Sequence, residues 1–485
     1  MWRLGEFPRG TVVYSCGTFD NMHYGHIRHL QEAAELGFSL VVGVTADSYV
    51  NRGPGRPLFN EVVRAECIAA LDCVDHVFIN HEKTAIGAIE EIRPDVYAKG
   101  IEYEGNEDED LQMERELVES YGGRVVFTDT NLYSSSAIIN ESNPTHSEDA
   151  AEFLSEFTKE YSYDRLVEII ESFSDLRVLV VGDTILDRYT YVEPKERAPK
   201  TSMLSMKALD SELMAGGAIH VANHIAKFCS EVKLITAFGI DDRNYIRNNI
   251  EDKITLAAPF YPGPTILKHR FLNRITKDKL FEVCTYDESM SEEIGHKIHF
   301  LIKDYYKDYD MIVVADFGHG LISDYTAEYI GSLGVFTAVN VQCNSLNLGY
   351  NLVTKYRDMQ YLTMDEQETR LATADRYSPI EDCIREVKAS TNAGVVSMTH
   401  GAAGSFVHNY DTMATIPVMS SEVVDTIGAG DVFLAITSLA AKKGVSPEAI
   451  GFLGNAMAAL AVRVVCTKQV VSKLDLLRFI KTLTK

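Results

Sequence analysis

Twice along the chain, short apolar runs rich in β-branched residues alternate with longer stretches whose apolar residues recur at helical spacing. That alternation constrains the fold more than any other feature. Strands separated by helix-length connections pair in parallel, and a parallel sheet needs helices over both faces. In the first series "TVVYS" (11–15) is followed by "HIRHLQEAAELG", where Ile27, Leu30 and Ala34 lie near helical spacing and Gly37 is a stop signal. "SLVVGVTA" (39–46) completes one βαβ unit, and "VDHVFI" (74–79), "PDVYAKG" (94–100) and "GRVVFTD" (123–129) read as later strands. From residue 141 the character changes: "ESNPTHSEDAAEFLSEF" is polar and acidic, and reads as a linker running into a helix. "LRVLVVGD" (176–183) then opens a second series, continued by "EVKLITAFG", "MIVVADFG", "GVFTAVNV", "MQYLTM" and "GVVSMTHG". The expectation is two α/β domains, 1–142 and 161–485, with a linker over 143–160. A chain of 485 residues also exceeds what one core usually holds.

The formal net charge of −24 argues against a nucleic-acid or anionic-membrane surface, which needs a basic footprint. It leaves small phosphorylated ligands open, because a few local donors hold those. The cysteines form no CxxC pair, so structural zinc spacing is absent and the thiols read as reduced. "MWRLGEFPRG" has no apolar core of signal-peptide length, and Arg463 interrupts the apolar run "NAMAALAVRVVC". A cytoplasmic protein that binds neither membrane nor nucleic acid is the expectation.

The stretch "CGTFDNMHYGH" (16–26) lies where the first strand ends and a helix begins. Ligands of open α/β sheets bind at such ends, and a helix start favours an anion. Imidazoles of His23 and His26 there can donate to a phosphate whose charge grows as it is attacked, while Gly25 admits close backbone approach. Taken alone, the tetrapeptide H-x-G-H also reads as ordinary helix-start residues, or as a metal pair without a nearby third ligand. The wider sequence resembles the HxGH nucleotidylyltransferases. "GTFDNMHYGH", "GRPLFNEVVRAECIAALDCVDHV" (55–77), "PDVYAKGIEYEG" (94–105) and "DTNLYSSSAII" (129–139) follow that domain in order over residues 8–140.

The resemblance implies attack of an acceptor phosphate on the α-phosphorus of a nucleoside triphosphate, with release of pyrophosphate and no covalent intermediate. It gives His23, His26 and Lys99 catalytic roles. Gly17, Thr18, Phe19, Asp20, Gly25, Arg64, Ser134, Ser135 and Ser136 become nucleotide-binding, with Mg²⁺ bridging the phosphates. Many relatives carry an arginine before the serine run, where this chain has Asn131 and Tyr133. "GTFD" resembles the glycerol-phosphate cytidylyltransferases, and ATP and CTP both stay open as donors.

Near the other end stands "DTIGAGDVFLA" (425–435). The amides of Ile427, Gly428, Ala429 and Gly430 can form an anion hole, and Asp431 can accept the proton of an attacking hydroxyl. A bare Gly-rich helix cap is the plain alternative. This version resembles the ribokinase-like (PfkB) sugar kinases over residues 176 to about 480. "VVGDTILDRY" (180–189) implies Asp187 toward a sugar, and "AGGAIHVANHIA" (215–226) a sugar loop with Gly216, Gly217 and His220. "MTHGAAGS" (398–405) implies an adenine-side loop with Gly401 and Gly404. The whole resembles the bifunctional heptose kinase/adenylyltransferases (ADP-heptose synthases) with the two parts in reversed order. Against that family, His220 stands for an asparagine, His319 for a lysine near the phosphates, and "NVQCNS" (340–345) for Asp-Pro-Lys. Asp365 and Glu368 match its Asn-x-x-Glu, linked to Mg²⁺. The implied function is sugar phosphorylation plus nucleotidyl transfer, giving an NDP-sugar for surface polysaccharide. The rival readings are a kinase domain reduced to a binding or oligomerising module, and a polyol kinase/cytidylyltransferase. A homodimer is expected by analogy.

Overall fold

A computed structural model describes residues 10–20, 22, 24–50, 57–100, 109–128, 148–197, 203–261, 263–286, 292–343, 347–410, 412–419, 423–463 and 468–484. The chain divides into two compact units, Met1–Thr145 and His146–Lys485. His23, Ser134, Ser135 and Ser136, all expected at the first site, lie outside the described residues.

The first unit is built on β1 (Val12–Gly17), β2 (Ser39–Thr45), β3 (His76–Asn80), β4 (Val96–Gly100) and β5 (Arg124–Thr128), in the order β3-β2-β1-β4-β5. Every pairing is parallel. The order reverses between β1 and β4, which places the ligand crevice of a Rossmann-like sheet at their carboxyl ends. Successive residues of a strand face opposite sides, so the central strands must be apolar throughout. Val13 and Val42 enter one core with Leu30 of α1 (Tyr24–Ala34) and Ile68 of α2 (Glu61–Ala69), while Tyr14 and Val41 enter the other with Ile89 of α3 (Ile86–Ile92). Tyr97 of β4 stacks on Tyr14 there, and Val118 of α4 (Glu109–Ser120) closes that core.

The second unit has strands β6 (Arg177–Gly182), β7 (Thr184–Arg197), β8 (Leu204–Gly217), β9 (Glu231–Ile235), β10 (Phe238–Gly239), β11 (Ile254–Ala257), β12 (Phe260–Tyr261), β13 (Ile266–Asn273), β14 (Lys279–Thr285), β15 (Met311–Asp316), β16 (Phe336–Val341), β17 (Tyr361–Asp365), β18 (Val395–Thr399), β19 (Ser405–His408) and β20 (Met413–Ile416). Among the described residues one sheet has nine strands, β11-β9-β6-β15-β16-β17-β18-β19-β20. It is parallel from β11 to β18 and antiparallel at β19 and β20. Val178 and Val180 pack into the core on one face, Leu179 and Val181 into the core on the other.

A second sheet of four strands, β14-β13-β7-β8, is mixed. Its long strand β8 is largely solvent-facing, while β7 is largely buried from Thr184 to Val192 but carries polar residues among its apolar ones, so no continuous apolar run announces the hairpin. The stretch read as a linker is, from Glu148, the helix Glu148–Glu160. Its Leu154 and Phe157 are buried in the core of the second unit, and Phe157 lies 4.5 Å from the ring of Phe452. Among the described residues no helix is long and apolar enough to cross a membrane.

Candidate active sites

At the first site, Gly17 ends β1, Thr18, Phe19 and Asp20 follow it, and Gly25 and His26 lie in the first turn of α1. Phe19 is buried and takes a left-handed φ of 48°, which a phenylalanine adopts only when its surroundings hold it there. Its ring meets His26 edge-on at 5.6 Å. Lys99 lies on β4, the parallel neighbour of β1, so Lys99 and the turn that leads from β1 into α1 and His26 flank the reversal of strand order.

The other expected nucleotide ligands are engaged with the protein itself. Asp20 is buried and accepts from the amides of Leu58 (2.8 Å) and Phe59 (3.3 Å), pinning the approach to α2. Arg64 is 2% exposed, and its guanidinium donates to the carbonyls of Phe59, Thr18 and Thr45 and to the Asp47 carboxylate. Four acceptors nearly exhaust five donors. Arg64 therefore fastens the glycine turn from behind. Lys99 faces Glu114 at 3.5 Å, and Glu114 is held by Tyr97 and the amide of Ala85.

One residue escaped the sequence reading. His29, one turn beyond His26, bridges Ser15 Oγ (2.8 Å) on β1 and Thr128 Oγ1 (2.7 Å) on β5. The Thr128 hydroxyl donates to the Lys99 carbonyl, which makes the His29 Nδ1–H the donor to Thr128 and its Nε2 the acceptor from Ser15. Burial, and then the Lys99 charge, hold this imidazole down to about 4, so it is neutral. The repeat of histidine every third residue is the signal that could have revealed it.

In the second unit a cleft of about 970 Å³ runs between the four-stranded sheet and the carboxyl ends of the nine-stranded one. Asp187, Gly217, Asp365, Glu368, Gly401, Gly404, Ile427, Gly428, Ala429, Gly430 and Asp431, all picked from sequence, line it together. Asp431 sits in the first turn of the helix Ala429–Lys442, whose N-cap Gly428 has φ 82°, a left-handed turn that suits glycine. Burial pushes the Asp431 carboxyl up to about 7; a 2.7 Å hydrogen bond from Gln342 and the Lys268 charge pull down, and Asp187 pushes up.

Asp187, on β7, is paired with Arg270 of β13, which also reaches Glu282 of β14 at 2.7 Å. A Cβ at Gly216 would stand 2.4 Å from Asp187 Oδ2, so any larger residue there would push that carboxylate aside. Asp425 is tied to Lys279 of β14 at 2.6 Å and accepts from the amide of Ile427 at 3.1 Å. The loop that opens the helix is thereby fastened to the four-stranded sheet. Gln342, Lys268 and Arg270 line the cleft and were missed, because a single polar residue within a strand or just past its end carries no periodic signal.

Asp365 and Glu368 form a reciprocal capping box on the helix Glu366–Thr373, and Glu368 also accepts from the amide of Cys343 at 2.8 Å. Among the described residues no group of three or more His, Cys, Asp or Glu has the spacing of a metal site. The pair still suits a hard divalent cation. Burial and the Asp365 charge raise the Glu368 carboxyl to about 8, a cost that a cation would offset.

Three expected ligands lie apart from the cleft lining: Gly216, which stands behind Asp187, and two histidines. His220 is buried in the helix Ala218–Ala226 against His224, and burial keeps it well below the usual histidine range. His319 follows β15 and meets Tyr286; burial, then Lys268, lower it to about 4, while Asp316 opposes them. The lysine of the resembling kinases is thus replaced here by a neutral ring.

Comparison with known proteins agrees with this division. The cytidylyltransferase-like family matches residues 14–141, and the pfkB family carbohydrate kinases match residues 175–472. "Bifunctional protein HldE" of Syntrophotalea carbinolica is 43% identical over 127 residues, which are 26% of this chain and 25% of that protein. The D-beta-D-heptose 1-phosphate adenylyltransferase of Bordetella bronchiseptica is 45% identical over 125 residues, 25% of this chain and 74% of that protein. The chain therefore spans about a quarter of the length of the HldE proteins it matches. Phosphofructokinase-2 from Escherichia coli, solved with fructose-6-phosphate, superposes with a TM-score of 0.53 at 13% identity, over 64% of this chain and all of that one. That likeness establishes the fold of the second unit.

Proposed function

Since the chain belongs to the pfkB family of carbohydrate kinases and carries a cytidylyltransferase-like domain ahead of the kinase, we propose that it is a bifunctional enzyme. One unit phosphorylates a sugar; the other transfers a nucleotidyl group from ATP or CTP to a sugar phosphate, releasing pyrophosphate and an NDP-sugar. The names of its N-terminal relatives favour a heptose-like sugar. The nucleotidylyltransferase unit proposed is 1–142, the kinase unit proposed takes in the helix Glu148–Glu160 ahead of residue 161, and the setting proposed is cytoplasmic.

The observation that carries the kinase half is the cleft that brings Asp431 and Asp187 together. An acceptor hydroxyl gives its proton to Asp431, its oxygen bonds to the γ-phosphorus, and the bond from that phosphorus to ADP breaks. The amides of 427–430 at the helix start face the charge that develops. Asp365 and Glu368 would hold a divalent cation, Mg²⁺ in this reading, which would neutralise phosphate charge. In the other unit a sugar-phosphate oxygen attacks the α-phosphorus and pyrophosphate leaves, with His26, His23 and Lys99 donating to the phosphates and Ser134 to Ser136 holding the triphosphate tail. Arg64 and Asp20 act behind this site by fixing the loop that contacts nucleotide.

The test is to follow ADP and pyrophosphate separately across ATP and CTP with a panel of sugars, polyols and their phosphates. Sugar-dependent ADP release and sugar-phosphate-dependent pyrophosphate release are expected. A chain that binds ATP and releases pyrophosphate, but never sugar-dependent ADP, would instead be a nucleotidylyltransferase with a binding module.

A further inference from the structure

The segment 340–345, which departs from the Asp-Pro-Lys of the resembling kinases, brings Gln342 to the base. Gln342 follows β16, and its backbone is fixed from both sides. Its N–H donates to the Asp316 carbonyl at 2.8 Å, and its own carbonyl accepts from Asn351 at 3.4 Å. The next residue, Cys343, donates its amide to Glu368. With the backbone so held, the side chain reaches across the cleft and its Nε2 donates to Asp431 Oδ1 at 2.7 Å.

We infer that Gln342 is a positioning residue for phosphoryl transfer: its amide engages one oxygen of Asp431 and leaves the other to face the acceptor hydroxyl. The inference rests on the kinase reading above. A buried carboxylate without a donor turns about its own bond and takes up a proton readily. An amide donor stops the rotation, favours the ionised form and adds no charge. The charged groups that face Asp431 are Asp187 and Lys268, from β7 and β13 of the four-stranded sheet, and Glu368. Gln342 is uncharged, so it steadies the base without changing the net charge of a cleft that must admit ATP. The departure at Gln342 is thus a different way of holding the base, and it stays compatible with catalysis.

Gln342→Met keeps the length of the side chain and removes the donor; Gln342→Lys keeps a donor and adds charge. Both are made in the full chain and assayed with the acceptor that gives the fastest ADP release. Gln342→Met should lower kcat by about 10–100-fold and leave the KM for ATP within about twofold. It should also move the acidic limb of kcat/KM to higher pH. Gln342→Lys should keep kcat within about tenfold of wild type and move that limb to lower pH. A Gln342→Met enzyme whose kcat stays within about twofold of wild type overturns the inference. So does a loss that is shared equally with the KM and the melting temperature and is not relieved by Gln342→Lys. A wild type that binds ATP but phosphorylates no acceptor overturns the kinase reading, and this inference with it.

Discussion

Arg64 and Asp431 are both buried charged residues beside a parallel sheet, and they are built for opposite tasks. Arg64 has four of its five donors engaged by Thr18, Thr45, Phe59 and Asp47, so its charge is spent on the protein itself. Asp431 has one oxygen engaged by Gln342 and is held near neutrality by burial. The same contrast runs through the two sites. In the first unit most charges near the glycine turn brace the protein's own backbone, and His26 on α1 and Lys99 on β4 are the described catalytic candidates. In the second unit the carboxylates and glycines face a shared cleft. A buried charge is thus read from the count of its unsatisfied hydrogen-bonding capacity, which burial alone does not give.

The contrast makes predictions of decreasing size. Asp431→Asn keeps the shape and removes the proton acceptor, so the kinase kcat should fall by about 10²–10⁴ with ATP binding little changed, as isothermal calorimetry would show. His26→Ala should lower pyrophosphate release by about 10²–10³ in a coupled assay and leave the melting curve in place.

Arg64→Met should reverse that pattern. It strands three carbonyls and the Asp47 carboxylate, and should destabilise the first unit by about 2–4 kcal/mol in urea, with nucleotide affinity falling only as a consequence. If Arg64→Met left stability intact and abolished nucleotide binding, the bracing role would be wrong.

The pH behaviour sharpens the comparison further. Asp431 works as a base only when ionised, so kcat/KM for the kinase should fall as pH drops through about 7. The sign for stability is opposite. A carboxyl raised above its unfolded value of 3.8 contributes stability below that value, and the contribution is lost as pH rises through about 7. Asp431→Asn should therefore raise the melting temperature by about 2–4 °C at pH 8, and hardly at all near pH 4. The smallest effect belongs to His319. Its ring is neutral above about 4, so His319→Gln should change the KM for ATP by less than about twofold.

Much of this was legible in the sequence. The β1 run and the glycine-histidine turn after it can hardly fold otherwise, since buried parallel strands are apolar throughout and strand ends carry the ligand loops. The glycines and Asp431 of "DTIGAGD" were legible for the same reason. The four-stranded sheet was not, because β8 is largely exposed and its alternation is weak. Nor were the tasks of Asp20 and Arg64: a side chain that braces the backbone, at amides for Asp20 and at carbonyls for Arg64, and one that serves a nucleotide have the same letter and the same position. Asp365 and Glu368 show both sides at once, a helix cap legible as a capping-box pattern whose carboxylates also line the cleft.

The central claim is that the chain carries two separate chemistries, one dependent on Asp431 and one on His26. The direct measurement is the crossed pair of variants, with ADP and pyrophosphate counted in the same reaction. Asp431→Asn should lose sugar-dependent ADP release and keep pyrophosphate release, and His26→Ala should do the converse. Loss of both products in either variant, or of neither in Asp431→Asn, would contradict the account.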